Sequence, residues 1–255
     1  MPLPDAIQTV LVTGATGFVG RNLVGALVRA PEFAGVAVRV FVRRPPPAPL
    51  LPPGVEVVVG AFDQEEALRR AVAGAGAVVH LAAKMVANGT PGGFRAINVD
   101  GARRLFEAAV AAGCRHFIHM SSTSVYGTPR SARLRTESDP TEPVTPYGRS
   151  KLEAEQALLQ AGAGGCVLNI LRAAGIFGAG TEKEIPLLRK IQRQRRSVEL
   201  AGALLYNPIH VRDVVRAILE LLKRPAPHRT LFNLGGADVI RLDDYHALLA
   251  QTLGT

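Results

Sequence analysis

TVLVTGATGFVG, residues 9–20, is the stretch that decides the fold. Its first half is a short apolar, β-branched run that predicts a buried strand, and the apolar periodicity after it predicts a helix. Three glycines lie between the two elements. Gly14 permits a tight turn, Gly17 lets a pyrophosphate approach the backbone, and Gly20 lets the helix pack closely on the strand.

The glycine spacing leaves two interpretations open. GxxGxxG is one residue longer than the dinucleotide-binding fingerprint, and three glycines also occur in ordinary strand–helix turns. Because a strand precedes the glycines and a helix follows them, we favour a cofactor site. Unpaired N–H groups at the helix N-terminus would hold the phosphates there.

Composition limits the class of protein. The 255 residues are 47% hydrophobic and only 5% aromatic, which suits helices layered on a parallel sheet. No apolar run reaches the roughly 18 residues of a membrane span, and residues 1–8 lack the pattern of a signal peptide. We therefore expect a cytoplasmic protein with no membrane partner. Cys114 and Cys166 lack metal-ligand spacing, so we expect reduced thiols and no metal site.

The chain is basic, with 30 Lys and Arg residues against 21 Asp and Glu. Because no recognition motif accompanies this charge, we do not expect a nucleic-acid partner. An anionic cofactor and substrate are one explanation for the excess, and an arginine-rich proteome is another. Residues 189–196, on a helix predicted near 184–196, are either a binding face for a phosphate-bearing substrate or a solvated helix face.

The end of the second predicted strand bears on the choice of cofactor. Residues 36–42 predict this strand, and Arg43 and Arg44 follow it before a proline-rich loop. An acidic residue here would hydrogen-bond a ribose 2′-hydroxyl, whereas arginine accommodates a 2′-phosphate. No acid lies between Val36 and Leu51, so the sequence favours NADP over NAD. Solvated loop charges are the alternative.

Strands and helices alternate through the rest of the chain. Further strands are predicted at 55–59, 77–83, 116–120, 167–171 and 231–234, and further helices at 65–72, 94–112, 146–160, 210–222 and 242–253. This alternation predicts an α/β fold with a doubly wound parallel sheet of the Rossmann type. We expect a dinucleotide-binding domain over 1–172 and a small substrate lobe over 173–255, with the segment near 207–235 returning to the larger domain.

Two polar motifs are candidates for chemistry. SSTSVYG at 121–127 crowds hydroxyl groups at the exit of a strand, where open α/β sheets bind ligands. A locally capped turn is the alternative. Tyr147 and Lys151, four residues apart on a predicted helix, share a face about 6 Å apart. An amphipathic surface pair is the alternative there. His80 is predicted to be a packed core residue.

The order of these motifs resembles the extended short-chain dehydrogenase/reductase family, which includes the NAD(P)-dependent epimerases and dehydratases. The motifs are TGATGFVG at 13–20, HLAA at 80–83, Asn98 in INVDG, SSTSVYG at 121–127 and YGRSK at 147–151. NPIHVRDVVRAI at 207–218 and LFNLGG at 231–236 resemble the later segments of that family.

The resemblance implies a role for each of these residues. Tyr147 would be the catalytic acid/base, Lys151 would bind the nicotinamide ribose and lower the tyrosine pKa, and Ser122 would hydrogen-bond the substrate oxygen. The cofactor would lie against Gly14, Thr16, Gly17, Phe18, Val19, Gly20, Arg43, Arg44, Asp63, Leu81, Ala82, Ala83, Asn98, Tyr147 and Lys151. The family also implies a homodimer through the helices at 94–112 and 147–160.

Electrostatics supports the pairing of a tyrosine with a lysine. An ammonium about 6 Å from a phenol, in an effective dielectric near 20, contributes roughly 3 kcal/mol, or about two pKa units. We therefore expect the pKa of Tyr147 to be lowered, so that it can transfer a proton as hydride moves to or from the cofactor.

The chain departs from the family pattern at three places. Ala61 follows Gly60 where relatives often carry an acid that contacts adenine, so Asp63 is the candidate for that contact. Gly175 and Ala179 stand where sugar-nucleotide enzymes often have Asn and Pro, and Gly175 resembles the hydroxysteroid-dehydrogenase-like branch. The chain also ends soon after the last predicted helix, which indicates a reduced lobe or a truncated chain.

We therefore expect an oxidoreductase that transfers hydride between NADP or NAD and a secondary alcohol or ketone. The small-molecule substrate is either a nucleotide sugar, which would be epimerised or dehydrated, or a hydrophobic ketone. A hypothesis of another class is a non-catalytic dinucleotide-binding regulator or assembly factor on the same fold. The presence of Ser122, Tyr147 and Lys151 argues against that hypothesis.

Overall fold

The computed structural model describes residues 7–85, 92–128, 133–180, 205–224 and 230–241, with residues 244, 247, 248 and 251. The arginine-rich helix predicted near 184–196 lies outside these ranges, as does most of the helix predicted at 242–253. Within them, none of the helices has both the length and the apolar character needed to cross a membrane. The same residues contain no cluster of three or more His, Cys, Asp or Glu that could hold a metal ion.

Strands and helices alternate along the described chain. The strands are β1 (Thr9–Thr13), β2 (Ala37–Val42), β3 (Glu56–Val59), β4 (Ala77–His80), β5 (His116–Ser122), β6 (Val167–Ala173), β7 (Ile176–Phe177), β8 (Leu205–Tyr206), β9 (Ile209–His210), β10 (Thr230–Leu234) and β11 (Ile240–Arg241). The α-helices are α1 (Phe18–Arg29), α2 (Glu65–Val72), α3 (Gly92–Phe94), α4 (Gly101–Ala111), α5 (Pro146–Gln160) and α6 (Val211–Lys223). Short 3₁₀-helices span Pro31–Phe33 and Thr123–Tyr126, and a π-helix spans Arg95–Asp100.

Seven strands form one sheet in the order β10-β6-β5-β4-β1-β2-β3. Every neighbouring pair in this sheet is parallel. The predicted doubly wound α/β fold is therefore confirmed. The order of the strands reverses between β1 and β4, which is where sheets of this kind bind ligands beyond the strand ends.

The structure differs from the predicted boundaries at two functional places. β4 ends at His80 rather than at residue 83. Just beyond this end, the Leu81 N–H still donates a hydrogen bond to the Thr13 carbonyl oxygen of β1, at 3.3 Å. The helix predicted at 94–112 is wound irregularly, with the π-helix between α3 and α4. A π-helical turn holds an extra residue and is often found at functional sites.

Both faces of the sheet are buried, as apolar runs on parallel strands predict. Alternate residues of β1 divide between the two sides. Val10 and Val12 pack on one side with α1 and α6, whereas Leu11 packs on the other with α2, α4 and α5. Cys114 and Cys166 are buried free thiols in the second of these cores, as the sequence predicted.

The second face becomes polar toward the carboxyl ends of its strands. Thr13, His80 and His119 are neighbours across β1, β4 and β5, and we call these three residues the polar row. Ser121 and Arg172 are neighbours across β5 and β6, two residues further along. All five side chains are buried. His80 is thus confirmed as a packed residue, although its neighbours in the row are polar.

A buried ion pair fixes α5 on this face. Arg172 Nη2 lies 2.7 Å from a Glu155 carboxylate oxygen, and the two side chains are 5% and 2% exposed. The Ser121 hydroxyl donates to the same carboxylate. Arg172 also donates to the Tyr126 hydroxyl at 2.8 Å, which in turn donates to Asn233 Oδ1 at 2.8 Å. Removing one partner from a buried pair typically costs about 3–5 kcal/mol of stability.

The turn after β1 is too tight for side chains larger than glycine. Gly14 has a φ of +70°, and a Cβ there would lie 2.7 Å from the backbone nitrogen of Ala82. A Cβ at Gly20 would lie 2.2 Å from the Gly14 carbonyl oxygen and 2.7 Å from Ala15 Cα. The helix and the turn therefore pack backbone against backbone, as the sequence predicted for Gly20.

Gly20→Ala is expected to lower the free energy of unfolding by about 2 kcal/mol, because backbone atoms of the turn must move to admit the methyl group. Gly25→Ala, in the same helix, is the matched control. The atoms nearest to its methyl would be those at the end of the flexible Arg29 side chain, so a gain of up to about 1 kcal/mol is expected. Urea denaturation followed by circular dichroism measures both, and equal effects would contradict the packing argument.

Candidate functional site

A large open cavity, of about 2130 Å³, runs along the carboxyl edge of the sheet. Its volume exceeds the roughly 300–1,000 Å³ typical of pockets for one small molecule, so it has room for more than one ligand. The glycine turn, the ends of β2, β4, β5 and β6, and the start of α5 contribute to its walls. These are the positions at which the strand order predicts a ligand.

The cavity gathers most of the residues that the sequence singled out. Gly14, Thr16, Gly17, Phe18, Val19, Gly20, Arg43, Arg44, Asp63, Leu81, Ala82, Ala83, Ser122, Tyr147 and Lys151 all line it. Residues from the first and second strands thus face the same space as residues of the fifth strand and of α5. The predicted cofactor-binding and catalytic groups therefore share one site.

Asn98 lies behind the wall of the cavity. Its side-chain oxygen accepts the Lys84 N–H at 2.7 Å, and its amide donates to the Lys84 carbonyl at 3.0 Å. The amide also donates to Ser150 Oγ at 2.9 Å. Asn98 thus holds the segment after β4 against α5, and it shapes the cavity without lining it.

The N-terminus of α1 opens toward the cavity. No side chain caps this end, and its first turn holds no acidic residue. The positive end of the helix dipole is therefore not opposed by a carboxylate on the helix. A Cβ at Gly17 would meet only the Gly14 carbonyl oxygen, at 3.2 Å. The backbone here can receive an anionic group at close range.

Several charged residues of the wall were not predicted. Lys84, Asp100 and Arg104 line the cavity together with Arg43 and Arg44. Arg104 lies four residues after Asp100, so the sequence spacing indicates that both residues face the same side of a helix. Lys84 follows the small residues at the end of β4, where position alone indicated exposure to a ligand.

Tyr147 and Lys151 lie one turn apart near the start of α5, as the sequence predicted. Thr145 caps this helix, because its hydroxyl accepts the Gly148 N–H at 3.0 Å. Opposite them, Ser122 Oγ accepts the Ser124 N–H at 3.2 Å. The capped turn considered as an alternative is therefore present, and the same hydroxyl still faces the cavity.

Burial shifts the pKa values of the tyrosine and the lysine in opposite directions. It raises the pKa of Tyr147, and a contact with the Ser122 hydroxyl only partly opposes this. The expected lowering of the Tyr147 pKa is thus wrong for the protein chain by itself, because desolvation of the phenolate outweighs the contact with Ser122. Burial also lowers the pKa of Lys151 to about 8, against the opposing effect of the Glu155 charge.

Three exposed apolar side chains also line the cavity. Met85, Leu134 and Phe177 are 65%, 45% and 43% exposed, and they come from three separate segments. Arg133, next to Leu134, donates hydrogen bonds from its two terminal nitrogens to the two carboxylate oxygens of Asp139, at 2.9 and 2.6 Å. Charged residues neighbour two of the three in sequence, because Lys84 precedes Met85 and Arg133 and Arg135 flank Leu134.

Residues 10–235 match the family model described as the NAD dependent epimerase/dehydratase family. The chain is 31% identical over 247 residues to 4-hydroxy-2-methyl-3-oxo-4-farnesyl-3,4-dihydroquinoline-1-oxide ketoreductase of Stigmatella aurantiaca, which covers 95% of this chain and 72% of that protein. It is 35% identical over 222 residues to ceramide reductase of Caulobacter vibrioides, covering 87% of this chain and 63% of that protein. The chain thus spans less than two thirds of the second relative.

A solved structure agrees with these matches. MoeE5 in complex with UDP-glucuronic acid and NAD has a TM-score of 0.79 and 28% identity, over 96% of this chain and 82% of that one. The likeness therefore extends over nearly the whole chain. The chain belongs to the NAD-dependent epimerase/dehydratase family of the short-chain dehydrogenase/reductase superfamily, whose members use a nicotinamide cofactor.

Proposed function

We propose that this protein is an NADP(H)-dependent oxidoreductase that interconverts a ketone and a secondary alcohol on a largely apolar substrate. One observation carries the proposal. Ser122, Tyr147 and Lys151, a set suited to proton transfer, line the same cavity as the glycine turn. A non-catalytic dinucleotide-binding regulator has no use for that set.

The residues of the cavity fit a dinucleotide. The uncapped N-terminus of α1 and the open space before Gly17 suit a pyrophosphate, and the small side chains of Ala82 and Ala83 leave room for a ligand to lie against the end of β4. When bound, the nicotinamide ring supplies the acceptor or donor of hydride.

The protein groups would handle the proton that accompanies hydride transfer. Because burial raises the pKa of Tyr147, its phenol is protonated at neutral pH and can donate to a ketone oxygen. Ser122 would hydrogen-bond the same oxygen and hold it near the phenol. The Lys151 ammonium would stabilise the phenolate that remains after the transfer. This arrangement favours the direction of ketone reduction.

The preference for NADP rests on the charges at the end of β2. Arg43 and Arg44 line the cavity there, and Arg104 approaches the same cavity from α4. A guanidinium binds a phosphate through two parallel hydrogen bonds. The acidic residues that line the cavity, Asp63 and Asp100, lie on other segments. Neither of them directly follows β2, where an acid would hydrogen-bond a ribose 2′-hydroxyl.

Arg43→Ala is expected to weaken NADPH binding about tenfold, or about 1.4 kcal/mol, and to leave NADH binding nearly unchanged. Gly17→Ala should weaken both, since its methyl occupies the space before the helix. Nicotinamide fluorescence measures the affinities, and Arg70→Ala, an exposed arginine on α2, is the control for charge. Tighter binding of NADH would overturn the NADP assignment, and binding of neither would overturn the cofactor site.

Tyr147→Phe is expected to lower the rate of ketone reduction by at least about 100-fold, because the general acid is lost. Affinity for NADPH should stay within a factor of about two, since the ring remains. Single-turnover kinetics and the fluorescence titration measure the two quantities. A variant with full turnover would exclude Tyr147 as the acid, and no turnover by either protein on any ketone tested would favour a regulator.

Apolar side chains support a hydrophobic substrate. Met85, Leu134 and Phe177 are exposed and line the cavity. A site for a sugar would instead offer polar groups at such positions. The names of the two relatives, a ceramide reductase and a ketoreductase of a farnesyl-bearing ring, agree with this choice. A nucleotide sugar is the second candidate, and the likeness to MoeE5 bound to UDP-glucuronic acid favours it.

A long-chain ketone is expected to be reduced with NADPH, and UDP-glucose is expected not to be oxidised. Leu134→Asn should then raise KM for the ketone about tenfold, because a polar group replaces apolar contact, while NADPH affinity stays constant. Val144→Asn, another exposed apolar residue that does not line the cavity, is the matched control. Turnover of UDP-glucose in place of the ketone would favour the second candidate.

A further inference from the structure

The Lys151 side chain reaches from α5 down to the polar row of the sheet. It is 1% exposed, and its Nζ lies 3.4 Å from His119 Nε2. Within the described part of the chain, His119 is the hydrogen-bond partner of the Lys151 ammonium. His119 is therefore the group that contacts the Lys151 ammonium on the side of the sheet.

The two histidines of the row brace each other. Their rings stack with centroids 5.3 Å apart and planes inclined by 27°. Thr13 Oγ1 lies 2.7 Å from His80 Nδ1, and the same oxygen accepts the Ala82 N–H at 3.3 Å. Phe62 packs its ring edge against His80 at a centroid distance of 5.5 Å. The His119 ring thus stacks on a His80 ring that Thr13 and Phe62 contact on its other sides.

The chemistry of an ammonium fixes the direction of its hydrogen bond. An ammonium has three N–H donors and no lone pair, so His119 Nε2 must accept, and the ring carries its proton on Nδ1, a buried atom with no hydrogen-bond partner among the described residues. That requires a neutral ring. Burial, with the nearby Lys151 charge and His80, lowers the pKa of His119 well below its usual value. Burial likewise lowers the pKa of His80 to about 3.

We propose that His119 is a positioning residue, a neutral acceptor that holds the Lys151 ammonium beneath Tyr147 without cancelling its charge. The inference rests on the proposed role of Lys151 in the reaction. A carboxylate at this place would pair with the ammonium and reduce its effect on the phenol. An apolar side chain would leave one of the buried N–H donors without this acceptor.

Other charged groups around Lys151 do not replace His119. On α5, Glu155 is held by Arg172 of β6, and Tyr147 is the group on which the ammonium acts. Asp100, on the π-helix packed against α5, lines the cavity. From β4, His80 is neutral. The row ends at the buried Thr13 hydroxyl, so it positions a charge and does not conduct protons to solvent.

The wild-type protein without substrate tests the direction of the hydrogen bond. ¹⁵N-histidine NMR distinguishes which nitrogen of each of the six imidazoles carries the proton, and His119→Gln assigns the signal by its loss. The proposal expects the His119 proton on Nδ1 and no titration between about pH 5 and pH 9. A proton on Nε2, or a charged ring in that range, would overturn it.

The pKa of Lys151 tests the function of the hydrogen bond. ¹³C-lysine NMR follows the five lysines, and Lys151→Arg assigns the signal. Burial lowers this pKa to about 8 in the wild type. His119→Leu is expected to lower it by at least about one unit, so the charge is lost at lower pH. His119→Gln, which puts a carbonyl oxygen near the former Nε2, should restore most of the wild-type value.

A second buried histidine on the same strand provides the control. His116 Nε2 lies 2.7 Å from Asn169 Oδ1, and His116→Gln is expected to leave the Lys151 pKa unchanged. An unchanged Lys151 pKa in His119→Leu would overturn the proposal, and if that variant does not fold, the wild-type tautomer still decides. Both measurements omit cofactor and substrate. A failure to bind NADPH would therefore contradict the proposed function and leave the result on His119 standing.

Discussion

The pairing of Glu155 with Arg172 is the interaction on which the site depends. Tyr147, Lys151 and Glu155 follow one another at intervals of one helical turn, so anchoring the third sets the height of the other two above the sheet. The same guanidinium contacts Tyr126, which bonds to Asn233 of β10. One buried arginine thus joins α5, the turn after β5 and the returning last strand of the sheet.

Local patterns were sufficient to predict the fold, whereas Lys84, Asp100 and Arg104 of the cavity wall were missed. Gly20 could be predicted because close packing of a helix on its own turn depends on neighbours in sequence. The Tyr147–Lys151 pair could be predicted because four residues make one helical turn. Resemblance to a family supplied Asp63 and Ser122, whose places depend on how the loops close.

Features that depend on register or on complete burial could not be predicted. His119 meets Lys151 because α5 packs against β5, and it stacks on His80 because β4 and β5 pair with these two residues opposite each other. The sequence shows both histidines but not that pairing. The direction of the Tyr147 pKa shift was predicted wrongly. The effect of a nearby ammonium on the pKa can be estimated from sequence spacing, whereas the desolvation of the phenol depends on how completely the folded chain covers it.

The π-helical turn at Arg95–Asp100 has a consequence for how this chain can change. In evolutionary terms, such a turn is a single-residue insertion that an α-helix has absorbed without being broken. Deleting one residue there would restore regular winding, but it would rotate Asn98 about 100° around the axis relative to α4. Its amide would then leave both Lys84 and Ser150. The length of this segment is therefore under the same structural constraint as the identity of Asn98.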